Sequence, residues 1–100
     1  IKYYYQLVDI PPSNIKSFSD LIRSKTKPDI FLIISKYESK LSMIVGVNEH
    51  LEKYDSVDFI KKLVPIIGGK GGGGRKTLAQ GGGNDLTKVD EVIKKFISMI

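Results

Sequence analysis

Nine of the chain's ten glycines lie between Gly68 and Gly83, in the run GGKGGGGRKTLAQGGG, and the only charges inside that run are Lys70, Arg75 and Lys76. No other feature limits the possible folds so strongly. Ordering a residue costs roughly 1 to 2 kcal/mol of backbone freedom, and glycine loses most. Such a run survives in a folded chain only where close packing or a ligand requires bare backbone. Glycine also leaves N–H groups accessible, so a cluster of glycines beside cations points to an anionic ligand.

Charge strengthens that reading. The formal net charge is +5, and from Lys61 to Asn84 there are cations (Lys61, Lys62, Lys70, Arg75, Lys76) but no carboxylate. The surplus therefore sits in and just before the glycine run. With 41% apolar and 27% charged residues, the 100-residue chain reads as one globular domain over residues 1–100, expected to bury somewhat more than ~60% of its unfolded surface. No apolar run approaches the ~20 residues that cross a bilayer, and IKYYYQLVDI lacks the layout of a signal peptide. No membrane partner is expected. The chain begins at Ile1 and reads as a piece of a longer protein. It has no cysteine, which fits a reducing, cytoplasmic setting, and a single histidine, His50. Thiolate and multi-histidine metal sites are thereby excluded.

Around the run, the pattern predicts an α/β fold with one mixed sheet of about four strands and three helices. Lys2 to Asp9 reads as a strand stopped by Pro11-Pro12. Ser13 or Asn14 is expected to cap a helix with Ile15, Phe18 and Leu21-Ile22 on its apolar face, ending before Lys27-Pro28. Five consecutive apolar residues, Ile30 to Ile34, mark a central strand covered on both faces. A turn at Glu38-Ser39 leads to an antiparallel strand with Leu41, Met43, Val45 and Val47 on one side. Asn48 to Tyr54 is a polar connection. Asp55 or Ser56 caps a second helix bearing Val57, Ile60 and Val64, widened by Phe59 and Leu63, which Pro65 ends or kinks. A glycine-rich loop then precedes the last short strand. The final helix starts at Asp85 or Thr87 and faces the core with Leu86, Val89, Ile93, Phe96 and Ile100.

Two nucleotide motifs fail on context. Gly69, Gly71 and Gly74 satisfy GxGxxG, but that match is nearly automatic in so dense a run, and a helix precedes it where a strand is needed. The P-loop spacing from Gly69 to Gly74 places Arg75 where lysine belongs, and no helix opens at Thr77. A slack linker is also disfavoured. Leu78, Ala79 and Gln80 interrupt the glycines, and the helices on either side would lose a packing partner.

The run GGKGGGGRKTLAQGGG, followed by Asp85, Lys88 and Asp90-Glu91, resembles the C-terminal signature of alanyl-tRNA synthetases, close to GGKGGGRPDxAQAGG and then a final helix. Gly68, Gly69, Lys70, Gly71 to Gly73, Arg75, Ala79, Gln80, Gly82 and Gly83 match position by position with one glycine treated as inserted. The departures are the extra glycine before Arg75, Lys76-Thr77 in place of Pro-Asp, and Gly81 where alanine is usual. They make the segment looser and more basic.

The resemblance implies a C-terminal, DHH-associated domain without a catalytic centre of its own. ATP and zinc would serve other parts of an alanine–tRNA ligase, and this fragment would hold no cofactor. Its partners would be alanine-specific tRNA, contacted at the outer corner in support of aminoacylation and editing, and the parent's other domains. The fragment is expected to be monomeric. The residues expected at the tRNA are Lys61, Lys62, Gly68, Gly69, Lys70, Gly71, Gly72, Gly73, Arg75, Lys76, Gln80 and Gly82. Their cations would neutralise phosphates while glycine N–H groups reach backbone oxygens. Three alternatives share the domain type: the substrate-clamping lobe of a DHH phosphoesterase, the tail of a free-standing alanyl-tRNA editing protein, and a dimerisation module. Phosphoesterase lobes carry a shorter motif with histidine or asparagine and a following AAG, with which Lys70 and AQGGG disagree. Tyr3, Tyr4 and Tyr5 offer stacking faces, but alternation turns Tyr4 or the Tyr3-Tyr5 pair to the core. His50 beside Glu49 and Glu52 reads as a solvated surface group.

Overall fold

A computed structural model describes residues 1–100. The elements run β1 (Tyr3–Val8), α1 (Ile15–Thr26), β2 (Ile30–Tyr37), β3 (Lys40–Val47), α2 (Ser56–Leu63), β4 (Gly72–Arg75), β5 (Leu78–Gly83) and α3 (Val89–Ser98), with short 3-10 turns before α1, after α2 and before α3. The strands form one sheet in the order β1-β2-β3-β5-β4, with β1 parallel to β2 and every other pair antiparallel.

Period-2 alternation splits the core between the two faces of the sheet. Ile30, Leu32, Ile34, Leu41, Met43, Val45, Val47 and Ala79 face α2, its 3-10 extension and α3, forming a cluster of 15 buried residues with Phe59, Ile60, Leu63, Val64, Ile67, Val92 and Phe96. Phe31, Ile33, Ile44 and Leu78 face α1 and meet Ile15 and Ile22. Ile30 to Ile34 are all buried, as a strand covered on both faces requires. The β2–β3 turn falls at Glu38-Ser39, both at positive φ (50° and 63°), the geometry that joins right-twisted strands in two residues. Asp55 caps α2, accepting from the Val57 N–H at 2.9 Å, and at Val64–Ile67 the helix tightens into a 3-10 turn around Pro65.

Four expectations need correction. The sheet has five strands, because part of the glycine segment is itself a strand, β4, hairpinned to β5 through Lys76-Thr77. Glycine has no side chain to alternate, so a glycine strand leaves no period-2 trace in sequence. Neither Ser13 nor Asn14 caps α1 by its side chain; Pro12–Asn14 form a 3-10 turn whose backbone leads into the helix. Leu21 is exposed, and only Ile15, Ser19 and Ile22 of α1 are buried. In α3 the residues at the centre of the core are Val92 and Phe96, with Val89, Ile93 and Ile100 packed around them. The 3-10 turn Leu86–Lys88 delays the helix to Val89, and Leu86 packs against the core with the other expected positions.

Candidate functional site

Alternation along β4 and β5 assigns each glycine a side. Gly72, Gly74, Gly81 and Gly83 share the α2 face with Ala79. A Cβ on Gly72 would lie 2.8 Å from Ile60 Cγ2, one on Gly83 2.8 Å from Ile67 Cγ1, and one on Gly81 would overlap Val64. Gly69, just upstream, would put a Cβ 2.5 Å from Val64 Cγ1. These positions form the trough into which α2 and its extension settle. On this face the bare backbone receives a helix of the same chain. Gly68 closes that extension at φ 76°, a left-handed conformation in which a Cβ is strained.

The opposite face differs. Gly73, Arg75, Leu78, Gln80 and Gly82 point to the α1 side, where Leu78 joins the small cluster and Gly82 lies opposite Ser42. Nothing lies within 4 Å of a Cβ built on Gly71 or Gly73. Lys70 to Arg75 are all exposed, and β4 is an edge strand with no partner on its outer side. The accessible backbone expected of the glycine run is therefore found on β4.

The cations of the run do not form one patch. Lys61 and Lys62 are exposed on the outside of α2, Lys70 is exposed just before β4, and Arg75 faces the α1 side. Lys76 is half-buried and acts as a brace: its Nζ donates to the carbonyls of Glu49 (3.3 Å) and Leu51 (2.9 Å), and its own carbonyl accepts from the Ser56 N–H at 2.8 Å. Two of its three donors are thus committed to the polar connection.

Sequence reasoning missed the cations of α1. Lys16, Arg23 and Lys27, with the carboxylate of Asp20 among them, recur at three- and four-residue spacing, so the helix and its C-cap carry them on one stripe. That spacing was the available signal. The Arg23 guanidinium stacks 5.1 Å from the centre of the Phe31 ring and donates from Nη2 to the Thr77 carbonyl at 2.8 Å. Desolvation lowers its pKa; Asp20 opposes the shift and Arg75 adds to it, although an arginine remains charged at neutral pH. Arg23, Lys27, Asn48, Glu49 and Thr77 line an open cavity of about 410 Å³, and Lys16, Gly74, Arg75 and Leu78 line another of about 270 Å³.

Tyr4 turns to the α1 layer, whereas Tyr3 and Tyr5 remain exposed and stacked at 6.5 Å on the other face, Tyr3 edge-on to Phe96. His50 is exposed, with Nε2 3.8 Å from Asp29.

The DHHA1 domain family model matches residues 1–100. The alanine–tRNA ligase of Ruegeria sp. (strain TM1040) is 36% identical over 89 residues, covering 88% of this chain and 10% of that protein. That of Rickettsia massiliae (strain Mtu5) is 34% identical over 102 residues, covering all of this chain and 12% of its own. The chain thus spans about a tenth of the length of the curated relatives it matches. The crystal structure of the C-Ala domain from Aquifex aeolicus alanyl-tRNA synthetase superposes with a TM-score of 0.82 at 30% identity, over 94% of this chain and 86% of that one. From the glycine hairpin, the five-stranded sheet and these likenesses together, the chain belongs to the DHHA1 domain family and is homologous to the C-terminal region of alanyl-tRNA synthetases.

Proposed function

We propose that this chain is the tRNA-binding accessory domain of a longer alanine–tRNA ligase, a module without chemistry of its own that holds tRNA for centres elsewhere in the parent. ATP and zinc belong to those centres, and alanine-specific tRNA and the neighbouring domains are its partners in the cytoplasm. The observation that carries the reading is the exposed backbone of β4 at one edge of the sheet, with Lys70 and Arg75 exposed at its two ends and no carboxylate between Lys61 and Asn84 in sequence. Lysine, arginine and backbone N–H groups at such an edge grip phosphates and fix the position of an RNA without reading its sequence. Homology to the C-terminal region of alanyl-tRNA synthetases supports tRNA as that RNA.

The test is fluorescence anisotropy of an alanine-accepting tRNA transcript titrated with the chain. If three to five phosphates are neutralised, affinity falls about tenfold to a few hundredfold between ~50 and ~200 mM salt. A fall of less than about threefold would overturn the electrostatic mechanism.

A further inference from the structure

The chain's two arginines, Arg23 and Arg75, are far apart in sequence and both lie on the α1 side of the sheet. Arg23 is tied to the carbonyl of Thr77, two residues past Arg75 on the hairpin turn. Neither enters an ion pair with a carboxylate. Burial partly desolvates Arg23, and the Asp20 carboxylate favours its charge more than Arg75 disfavours it. A phosphate beside a partly desolvated guanidinium favours its charged form and offsets the desolvation that remains.

We propose that a run of RNA phosphates lies along the seam between α1 and the β4–β5 hairpin, gripped by Arg23 and Arg75 and flanked by Lys16 and Lys27. The proposal rests on the tRNA-binding reading above and gives it a face. The cavities at Lys16/Arg75 and at Arg23/Lys27 are open along this seam, with volumes of about 270 and 410 Å³. Arg23 commits Nη2 to Thr77 and keeps further N–H groups for a ligand, and a guanidinium fork matches two phosphate oxygens at once. Gly73 lies on the same face with open space above it, so a ribose-phosphate chain can approach the strand backbone. Asp20 acts on Arg23 and Glu49 lines the larger cavity, so a phosphate at that end of the seam competes with two carboxylates. The outer surface of α2, with Lys61 and Lys62, lies on the other side of the sheet and is outside the grip.

The experiment titrates labelled alanine-accepting tRNA with the chain and three variants at low and moderate salt, with thermal unfolding of each. Arg75→Glu is expected to weaken binding at least about tenfold and to flatten the salt dependence, while the melting temperature holds because Arg75 is exposed. Lys16→Ala, at an exposed position, is expected to weaken binding about threefold, and Lys61→Ala/Lys62→Ala by less than about twofold. If the Lys61/Lys62 variant takes the loss and the other two bind like the parent chain, the seam is wrong and the tRNA reading survives. If the unaltered chain shows no salt-dependent tRNA binding, both fall. Should Arg75→Glu lower the melting temperature, the pair Lys16→Ala and Arg75→Gln decides by the same criterion.

Discussion

Glycine occurs here for two different reasons, and the neighbours of each residue tell them apart. Gly81 faces Val64 and Ile60 across the closest approach of α2, whereas Gly73 faces open space at an ordinary φ. Gly81→Ala is therefore expected to cost about 1 to 3 kcal/mol by forcing the helix off the sheet. Gly73→Ala is expected to leave stability unchanged or raise it by up to ~1 kcal/mol, because it only removes freedom from the unfolded chain. Thermal or urea unfolding of the two variants checks this, and equal effects would refute the division. The sequence shows the cluster plainly and hides the division. A glycine carries no side chain to reveal which side it turns, and the residues that decide the matter, Ile60 and Val64, belong to another element.

Among the elements, the start of α3 departs most from its sequence pattern. Asp85 was expected at the beginning of the helix and instead caps a 3-10 turn, its carboxylate accepting from the Thr87 N–H at 3.1 Å and the Thr87 hydroxyl at 2.6 Å. Those hydrogen bonds, side chain first, hold its pKa below the usual carboxylate value, with Lys88 helping and slight desolvation opposing. A carboxyl whose folded pKa is depressed stabilises the fold above its unfolded pKa and loses that contribution as pH falls through the folded one. The difference in melting temperature between the chain and Asp85→Ala is thus expected to stay constant from neutral pH down to about pH 4 and to shrink below it. A difference that persists undiminished near pH 2 would assign the effect to packing. The β4–β5 hairpin shows the opposite case: its cations were legible, but their directions were not. Arg75, Lys76 and Lys61-Lys62 part company because a strand turns alternate residues to opposite faces and a turn ties Lys76 to the Glu49 and Leu51 carbonyls.

For the whole molecule, the two sides of the sheet are unequal. Fifteen buried residues lie under α2 and α3, and six under α1. Local opening follows buried apolar contact, so amides of α1 are expected to exchange hydrogen faster than those of β2 and β3, and α1 to open before global unfolding. Exchange of α1 at the global rate would contradict that. This is also the side that carries Arg23 and Arg75, so the proposed RNA seam lies on the more weakly held layer, where a ligand would add protection. Much was fixed by the chain's own order of residues: the apolar runs set β2 and β3 in the core, three-four spacing set the helices, and the glycine signature set the family. These are short-range patterns, in which each residue's preference is legible beside its neighbours. Only the tertiary structure decided that Gly69, Gly72, Gly81 and Gly83 receive α2 and its extension, that Lys76 is a brace, and that the two arginines share the α1 side. Each of those depends on groups brought together by the pairing of β5 with β3, a contact between distant segments that no local pattern encodes.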